Sequence, residues 1–286
     1  MSTIVFLGGG RITSAMLAGL RLGKTRHRLV VHDLNPGKLR DLKKRYAVAV
    51  EPDLNCAVEQ ADMLIVAVRP SSVRELLGMV RKEAGKVMGG MNRPSLVRQK
   101  LEQQRLAVSL AAGVPLRVLS QVAGPAVRWA RAMPSPVCRS GRGLTAVVFP
   151  RTLPSADRKR VQDFFSSFGQ VVEIPESKFN AFTVTYSCSH GYHALATLAR
   201  TAQAAGLDRK TALVASAHAL ADGIIAWRDG EHSLQSLLEE AATPGGIAAA
   251  TVAEMDAAGY GRAVRQGVAA GLRRVRRNAG RRFFAN

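Results

Sequence analysis

Apolar positions along the chain follow two rules in succession. Through residue 175, short runs of β-branched residues alternate with stretches in which apolar residues recur every three or four positions. From Glu176 on, only the second spacing remains. The first run, Ile4-Val5-Phe6-Leu7, ends in three glycines, and the spacing then passes to Ile12, Met16, Leu17 and Leu20, which predicts strand, tight turn and helix. Further strands are predicted at Arg28 to Asp33, Ala47 to Val50, Met63 to Val68, Leu106 to Leu110, Val127 to Ala132, Leu144 to Phe149 and Val171 to Ile174. Between them fall helices: a short basic one after the Asn35-Pro36-Gly37 turn signal, then Asn55 to Ala61, Ser72 to about Ala84, and one around Asp157 to Phe168. Segment 85–104 carries no clear pattern.

Near-continuous apolar strands alternating with helices imply a parallel sheet covered on both faces. The alanine-rich remainder predicts helices over roughly 178–205, 208–227, 233–241, 245–258 and 260–278 and needs no strand. The expected fold class is therefore α/β, with an N-terminal doubly wound sheet over 1–175 and an all-helical domain over 176–286.

Composition narrows the class. With 286 residues, 47% apolar and 22% charged, the chain reads as a globular protein of one large or two ordinary domains. No apolar run has the length to cross a bilayer, so a cytoplasmic protein with no membrane partner is expected. Cys56, Cys138 and Cys188 show no C-x-x-C spacing, which argues against a disulfide framework and against a thiolate metal site. The net charge of +20 suits an anionic cofactor or substrate. Its densest stretch, Arg273 to Arg282, has no interleaved aromatics; it reads as a solvated helix end, and no nucleic-acid partner is expected.

Gly8 and Gly10 would let the chain turn sharply and let a pyrophosphate approach the backbone at a helix N-terminus. Thr13 fills the third position of the usual G-x-G-x-x-G, so a plain turn competes with this reading. Asp33 closes the second strand, where dinucleotide folds place a carboxylate for the adenosine ribose. Thr243-Pro244 reads as an N-cap and N1 pair, with free N–H groups at Gly245, Gly246 and Ile247 for a carboxylate; a simple helix start competes. On one continuous helix, Tyr186, His190 and His193 would share a face, with Ser187 and Ser189 nearby. A metal site on His190 and His193 lacks a third ligand, so none is expected.

Taken in order, these features resemble the pyrroline-5-carboxylate reductase family over nearly the whole chain. The resemblance rests on the opening strand with Gly8-Gly9-Gly10, on Ala61-Asp62 through Val68-Arg69-Pro70, and on Ser109-Leu110-Ala111-Ala112-Gly113. It continues through Arg131-Ala132-Met133-Pro134, Glu176 and Thr243-Pro244-Gly245-Gly246. It implies an N-terminal Rossmann domain, a helical domain that forms a homodimer or an assembly of dimers, and NAD(P)H-dependent reduction of a cyclic imino acid, 1-pyrroline-5-carboxylate, to proline. Cofactor contacts are implied at Leu7, Gly8, Gly10, Arg11 and Ile12, at Asp33 and Leu34, at Val68, Arg69 and Pro70, and at Ala112, Gly113 and Ser135. Substrate binding falls to Thr243, Gly245, Gly246 and Ile247, and catalysis to His190, Tyr186 and Ser187.

Departures from the family pattern keep alternatives open. Arg11-Ile12-Thr13 replaces the end of its first glycine motif, and Ile247-Ala248 replaces a threonine pair that lies beside the substrate. His190 stands where the family has proline, which makes it the leading proton donor; a packed or interfacial histidine is the competing role. Asp33-Leu34 replaces the Asn-Arg or Ser-Ser common among NADPH users, which leans the cofactor toward NADH, with Lys38 and Arg40 close enough to compensate. A dinucleotide-binding paralogue without turnover is the alternative function. A hydroxyacid dehydrogenase would need a lysine between Lys178 and Lys210, and there is none.

Overall fold

The structure, a computed structural model, describes residues 1–88 and 105–280. The first βα unit is β1 (Thr3–Leu7) and α1 (Arg11–Leu22), followed by β2 (Arg28–His32), α2 (Pro36–Tyr46), β3 (Ala49–Val50), α3 (Leu54–Glu59), β4 (Met63–Val66) and α4 (Pro70–Met88). After β5 (Arg105–Ser109) come α5 (Leu116–Ala123), β6 (Val127–Met133), a 3₁₀ turn (Pro136–Ser140), β7 (Gly143–Val148), α6 (Ser155–Ser166) and β8 (Gly169–Glu173). Together the strands form one sheet in the order β3-β2-β1-β4-β5-β6-β7-β8. The order reverses between β1 and β4, and the carboxyl ends of strands beside such a reversal are where doubly wound sheets hold ligands.

Alternation along the strands divides the core. Ile4 and Phe6 point into one layer with Met16, Leu20 and the Phe164, Phe165 and Phe168 group, while Val5 and Leu7 point into the other with Val73, Leu77, Leu119 and Phe179. Phe164 meets Phe165 and Phe168 edge-on at 5.1 and 5.6 Å. Each such ring, fully buried, contributes about 1.5–3 kcal/mol, so this group anchors α6 and the sheet's far end to α1. Burial pushes the Cys138 thiol up to about 12, leaving it a packing group in this layer.

One expectation about the sheet needs correction. The sheet is not wholly parallel: β7 runs antiparallel to β6, with Arg131 opposite Val148 and Met133 opposite Ala146. Only the short 3₁₀ turn joins these strands, too little chain for a parallel crossover. The apolar pattern singles out neither helix α5 nor that turn. The least legible segment, 85–104, lies outside the described residues from 89 onward; its first four residues finish α4.

The helical part holds α7 (Glu176–Thr185), α8 (Cys188–Ala204), α9 (Arg209–Asp229), α10 (Leu234–Ala241), α11 (Ile247–Ala257) and α12 (Tyr260–Gly280). A single helix over 178–205 is thus corrected to two, because Tyr186 and Ser187 leave helical geometry. Strands give way to helices between Glu173 and Glu176, but packing groups the chain differently. One compact unit is Met1–Tyr186 with the chain from Leu272 on, and the other is Ser187–Gly271. Helix α7 and the last turns of α12 therefore belong with the sheet. No helix among the described residues is long and apolar enough to cross a membrane. Arg281 and Arg282 of the basic stretch lie outside the described residues.

Candidate active site

Gly8 ends β1 with φ +112, and a Cβ there would lie 2.8 Å from the Ala67 carbonyl oxygen and 3.2 Å from Val68 Cγ1, so only glycine fits. Its N–H donates to His32 O at 2.8 Å, which joins the ends of β1 and β2. Gly10 is the N-cap of α1, and a Cβ there would meet nothing within 4 Å. The amides of Arg11, Ile12 and Thr13 follow it with no acceptor in their own helix, since the first helical bond runs from Ser14 N to Gly10 O. An open glycine, a crossing of the strand order and a row of free amides at a helix N-terminus suit an anion such as a pyrophosphate.

Thr13 explains how the incomplete fingerprint still makes this turn. It is fully buried, and its hydroxyl donates to Gly8 O at 2.5 Å, so a polar side chain does the holding that close glycine packing does in the usual motif. Asp33 holds the turn from the other side. Its Oδ2 accepts from Gly9 N at 2.8 Å, its Oδ1 accepts from Asn35 N at 2.9 Å, and Lys38 Nζ lies 3.3 Å from Oδ2. Burial works against the charge, but the amides of Asn35 and Gly9 and the Lys38 ammonium outweigh it and hold the carboxyl below its ordinary value. Leu34 beside it is 90% exposed and offers no cation at that point.

The other residues expected to contact a cofactor follow neighbouring strands. Val68 and Arg69 follow β4, and Pro70 is the first residue of α4 rather than only a stop signal. Leu110 N donates to Val66 O at 3.0 Å, which sets the chain after β5 next to that strand. Ala112 and Gly113 form the turn beyond it. Ser135 is buried, and its hydroxyl accepts from Val137 N at 3.5 Å inside the 3₁₀ turn.

The three residues expected to carry catalysis divide. Tyr186 does not share a helix face with His190 and His193: it ends α7 with φ −85 and ψ 62, and Ser187 begins a new helix in extended geometry. Its phenol oxygen accepts from Leu144 N at 2.6 Å, and that bond to the start of β7 turns the chain out of the helix. Ser187 and Ser189 hydroxyls pair at 2.7 Å, and His190 and His193 are exposed on α8. Tyr186 belongs to the sheet unit and His190 to the helical one.

Thr243-Pro244 is likewise not the cap of the next helix. Gly246 N donates to Thr243 O at 2.9 Å around Pro244 and Gly245, whose φ is +78. Pro at the second and a left-handed Gly at the third position make this a type II turn. Helix α11 opens two residues later, with Gly246 as its N-cap and Ile247 90% exposed at its first position. The amides left for an anion are those of Ile247, Ala248 and Ala249, while that of Gly246 is engaged.

Two residues quoted only for the resemblance prove central. Arg131 on β6 is 2% exposed; its Nη1 lies 3.2 Å from Glu176 Oε1, and its guanidinium stands 4.1 Å over the Phe179 ring. Burial pushes the guanidinium down from its ordinary value, while Glu176 acts the other way. The same carboxylate oxygen accepts from Leu116 N at 2.7 Å. Among the described residues no group of three or more His, Cys, Asp or Glu is placed to hold a metal ion.

Comparison with known proteins gives these features a lineage. The family described as NADP oxidoreductase, coenzyme F420-dependent, matches residues 3–88, and that described as pyrroline-5-carboxylate reductase dimerisation matches residues 176–278. The pyrroline-5-carboxylate reductase of Mycobacterium leprae is 31% identical over 224 residues, covering 77% of this chain and 72% of the relative. The chain belongs to the pyrroline-5-carboxylate reductase family. The reductase of Synechocystis is 28% identical over 272 residues, 94% of this chain and 95% of its own. Among solved structures, the Plasmodium falciparum pyrroline carboxylate reductase with NADP bound shares the fold at a TM-score of 0.82 and 18% identity, covering 98% of each chain. The Streptococcus pyogenes 1-pyrroline-5-carboxylate reductase shares it at 0.82 and 19%, covering 96% of this chain and 98% of its own. The dimerisation match begins at Glu176, so the family's oligomer-forming segment includes the residue that holds Leu116 and Arg131.

Proposed function

We propose that this member of the family reduces the C=N bond of 1-pyrroline-5-carboxylate to give proline, using a nicotinamide cofactor. The observation that carries the reading is the complete first βα turn, with Gly10 open and three helix amides free, in a chain 31% identical to a pyrroline-5-carboxylate reductase. When bound, the cofactor supplies the hydride to the imine carbon. The amides of Arg11, Ile12 and Thr13 would hold the pyrophosphate, Asp33 would accept ribose hydroxyls, and the turns at Val68–Pro70 and Ala112–Gly113 would hold the nicotinamide end. Gly245 and Gly246 present the type II turn ahead of α11, and the amides of Ile247 to Ala249 bind the substrate carboxylate. His190 would give a proton to the imine nitrogen, with Tyr186 and Ser187 orienting the ring. Residues 1–175 form the dinucleotide domain and 176–286 the dimerisation domain, two copies of which assemble.

NADH is the preferred cofactor in this reading. The Asp33 carboxyl is held below its ordinary value and follows β2, where dinucleotide folds bring the adenosine ribose, and Leu34 supplies no countercharge to a 2′-phosphate. Lys38, held 3.3 Å from Asp33, weakens that preference without reversing it. The test is oxidation of NADH by the purified protein with pyrroline-5-carboxylate. Turnover supports the reading; tight cofactor binding with no turnover on this or other cyclic imines would make the chain a binding protein.

A further inference from the structure

The turn after β5 makes few and long hydrogen bonds to itself. Ala111 N reaches Ser109 Oγ at 3.3 Å and Val114 N reaches Ala111 O at 3.4 Å, both at the weak end of the range. What fixes its shape comes from outside the sheet. At its far end Leu116 N donates to Glu176 Oε1 at 2.7 Å, and that carboxylate is itself anchored by the buried Arg131. At its near end Asn278 Nδ2 donates to Ala112 O at 3.3 Å. Between these points α12 comes so close that a Cβ on Gly113 would lie 2.2 Å from Val275 O and 3.0 Å from Asn278 Cβ.

This contact gives the arginine-rich stretch a purpose that its charge does not suggest. Val275 is 7% exposed, whereas Arg273, Arg274, Arg276 and Arg277 are all exposed. Val275 and Asn278 lie three apart on one face of α12, so the four arginines face solvent while two small side chains seat the helix on the turn.

We propose that Asn278 and Glu176 are positioning residues that clamp the Ala111–Pro115 turn at its two ends, so the last turns of α12 set the shape of the cofactor site. This rests on the reading of Ala112 and Gly113 as cofactor contacts. Neither side chain needs to touch the cofactor. Asn278 contributes one donor that presents the Ala112–Gly113 backbone, and its loss leaves a carbonyl without its partner and a turn with more than one shape.

The test is the dissociation constant for NADH, by fluorescence titration of the whole protein, with amide hydrogen exchange of residues 111–116 alongside. Asn278→Asp keeps the shape but sets an acceptor against the Ala112 carbonyl. It is expected to weaken NADH roughly three- to tenfold, the range of one neutral hydrogen bond, and to speed exchange in the turn before cofactor is added. Asn278→Gln is expected to recover part of both. Should Asn278→Asp lose its cooperative thermal transition, Asn278→Ala carries the same expectation without the added charge. Parent-like affinity and exchange in a folded variant would overturn the clamp. Ala112→Leu separates this from the underlying reading: if it weakens NADH while Asn278→Asp does not, only the clamp fails. If Ala112→Leu leaves NADH binding unchanged, the turn does not face the cofactor and both fail.

Discussion

The backbone N–H of Leu144 donates to the phenol oxygen of Tyr186 at 2.6 Å, across 42 residues of sequence. The bond ties the start of β7 to the end of α7, and the Tyr186 ring rests on Phe182 with centroids 5.3 Å apart. Because the phenol oxygen accepts from the backbone, its own proton stays available to a second acceptor.

Tyr186→Phe keeps the ring and removes that acceptor. It is expected to cost about 1–3 kcal/mol of stability, the penalty for a partly buried amide left without a partner, read from urea denaturation. Turnover should stay within about tenfold of the parent if Tyr186 orients and His190 donates. A loss of roughly a hundredfold or more in a folded variant would move the proton from His190 to Tyr186.

His190 is tested by a pair of variants. His190→Ala should lower turnover by roughly 10²–10⁴-fold, the scale of a positioned acid, with NADH affinity nearly unchanged. His190→Gln keeps a hydrogen-bond donor but has no proton to release, so activity retained in Gln and lost in Ala would mean an orienting role. Parent-like turnover in both would make it a packing or interface residue.

Asp33 and Lys38 make a prediction with a sign. The Asp33 carboxyl is held below its ordinary value, so what it contributes to the folded turn is present above the unfolded carboxylate range and is lost as pH falls through the folded value. Stability of the parent should therefore converge on that of Asp33→Asn only below about pH 4 and differ from it at neutral pH. Lys38→Met should raise the preference for NADH over NADPH roughly three- to tenfold, since a half-exposed cation 3.3 Å from Asp33 is partly screened by solvent. A preference for NADH that falls instead would overturn the charge argument for cofactor choice at this turn.

The sheet was legible because buried parallel strands are apolar along their whole length, so Met63 to Val66 announces itself without neighbours. Direction was not: Leu144 to Val148 reads the same whether β7 runs with β6 or against it. The break at Tyr186 lies in a stretch free of glycine and proline, and a partner 42 residues away decides it. Thr243-Pro244 fits a helix start as well as a type II turn, and the left-handed Gly245 that separates them is visible only in the backbone. Arg131 stood in a recognised motif, yet its burial depends on Glu176 and Phe179, 45 and 48 positions on, which no local pattern reports.

The last prediction concerns the helical unit. Over Ser187–Gly271 the buried residues among those described are Ala199, Ala212 and Ser216, too little to hold some eighty residues in place. Helix α9 meanwhile exposes Ile224, Ile225 and Trp227 near its end, and α10 exposes Leu234 and Leu238. Apolar faces of this kind mark an interaction surface, and the dimerisation family match covers all of them. Ile225→Glu with Trp227→Asp should thus cut the assembly to monomers by light scattering and make what remains of α9 easy to digest. The parent's melting temperature should rise with protein concentration, because folding of this unit is linked to association. A concentration-independent transition, or a double variant that stays assembled, would show that another face of the helical unit holds the copies together.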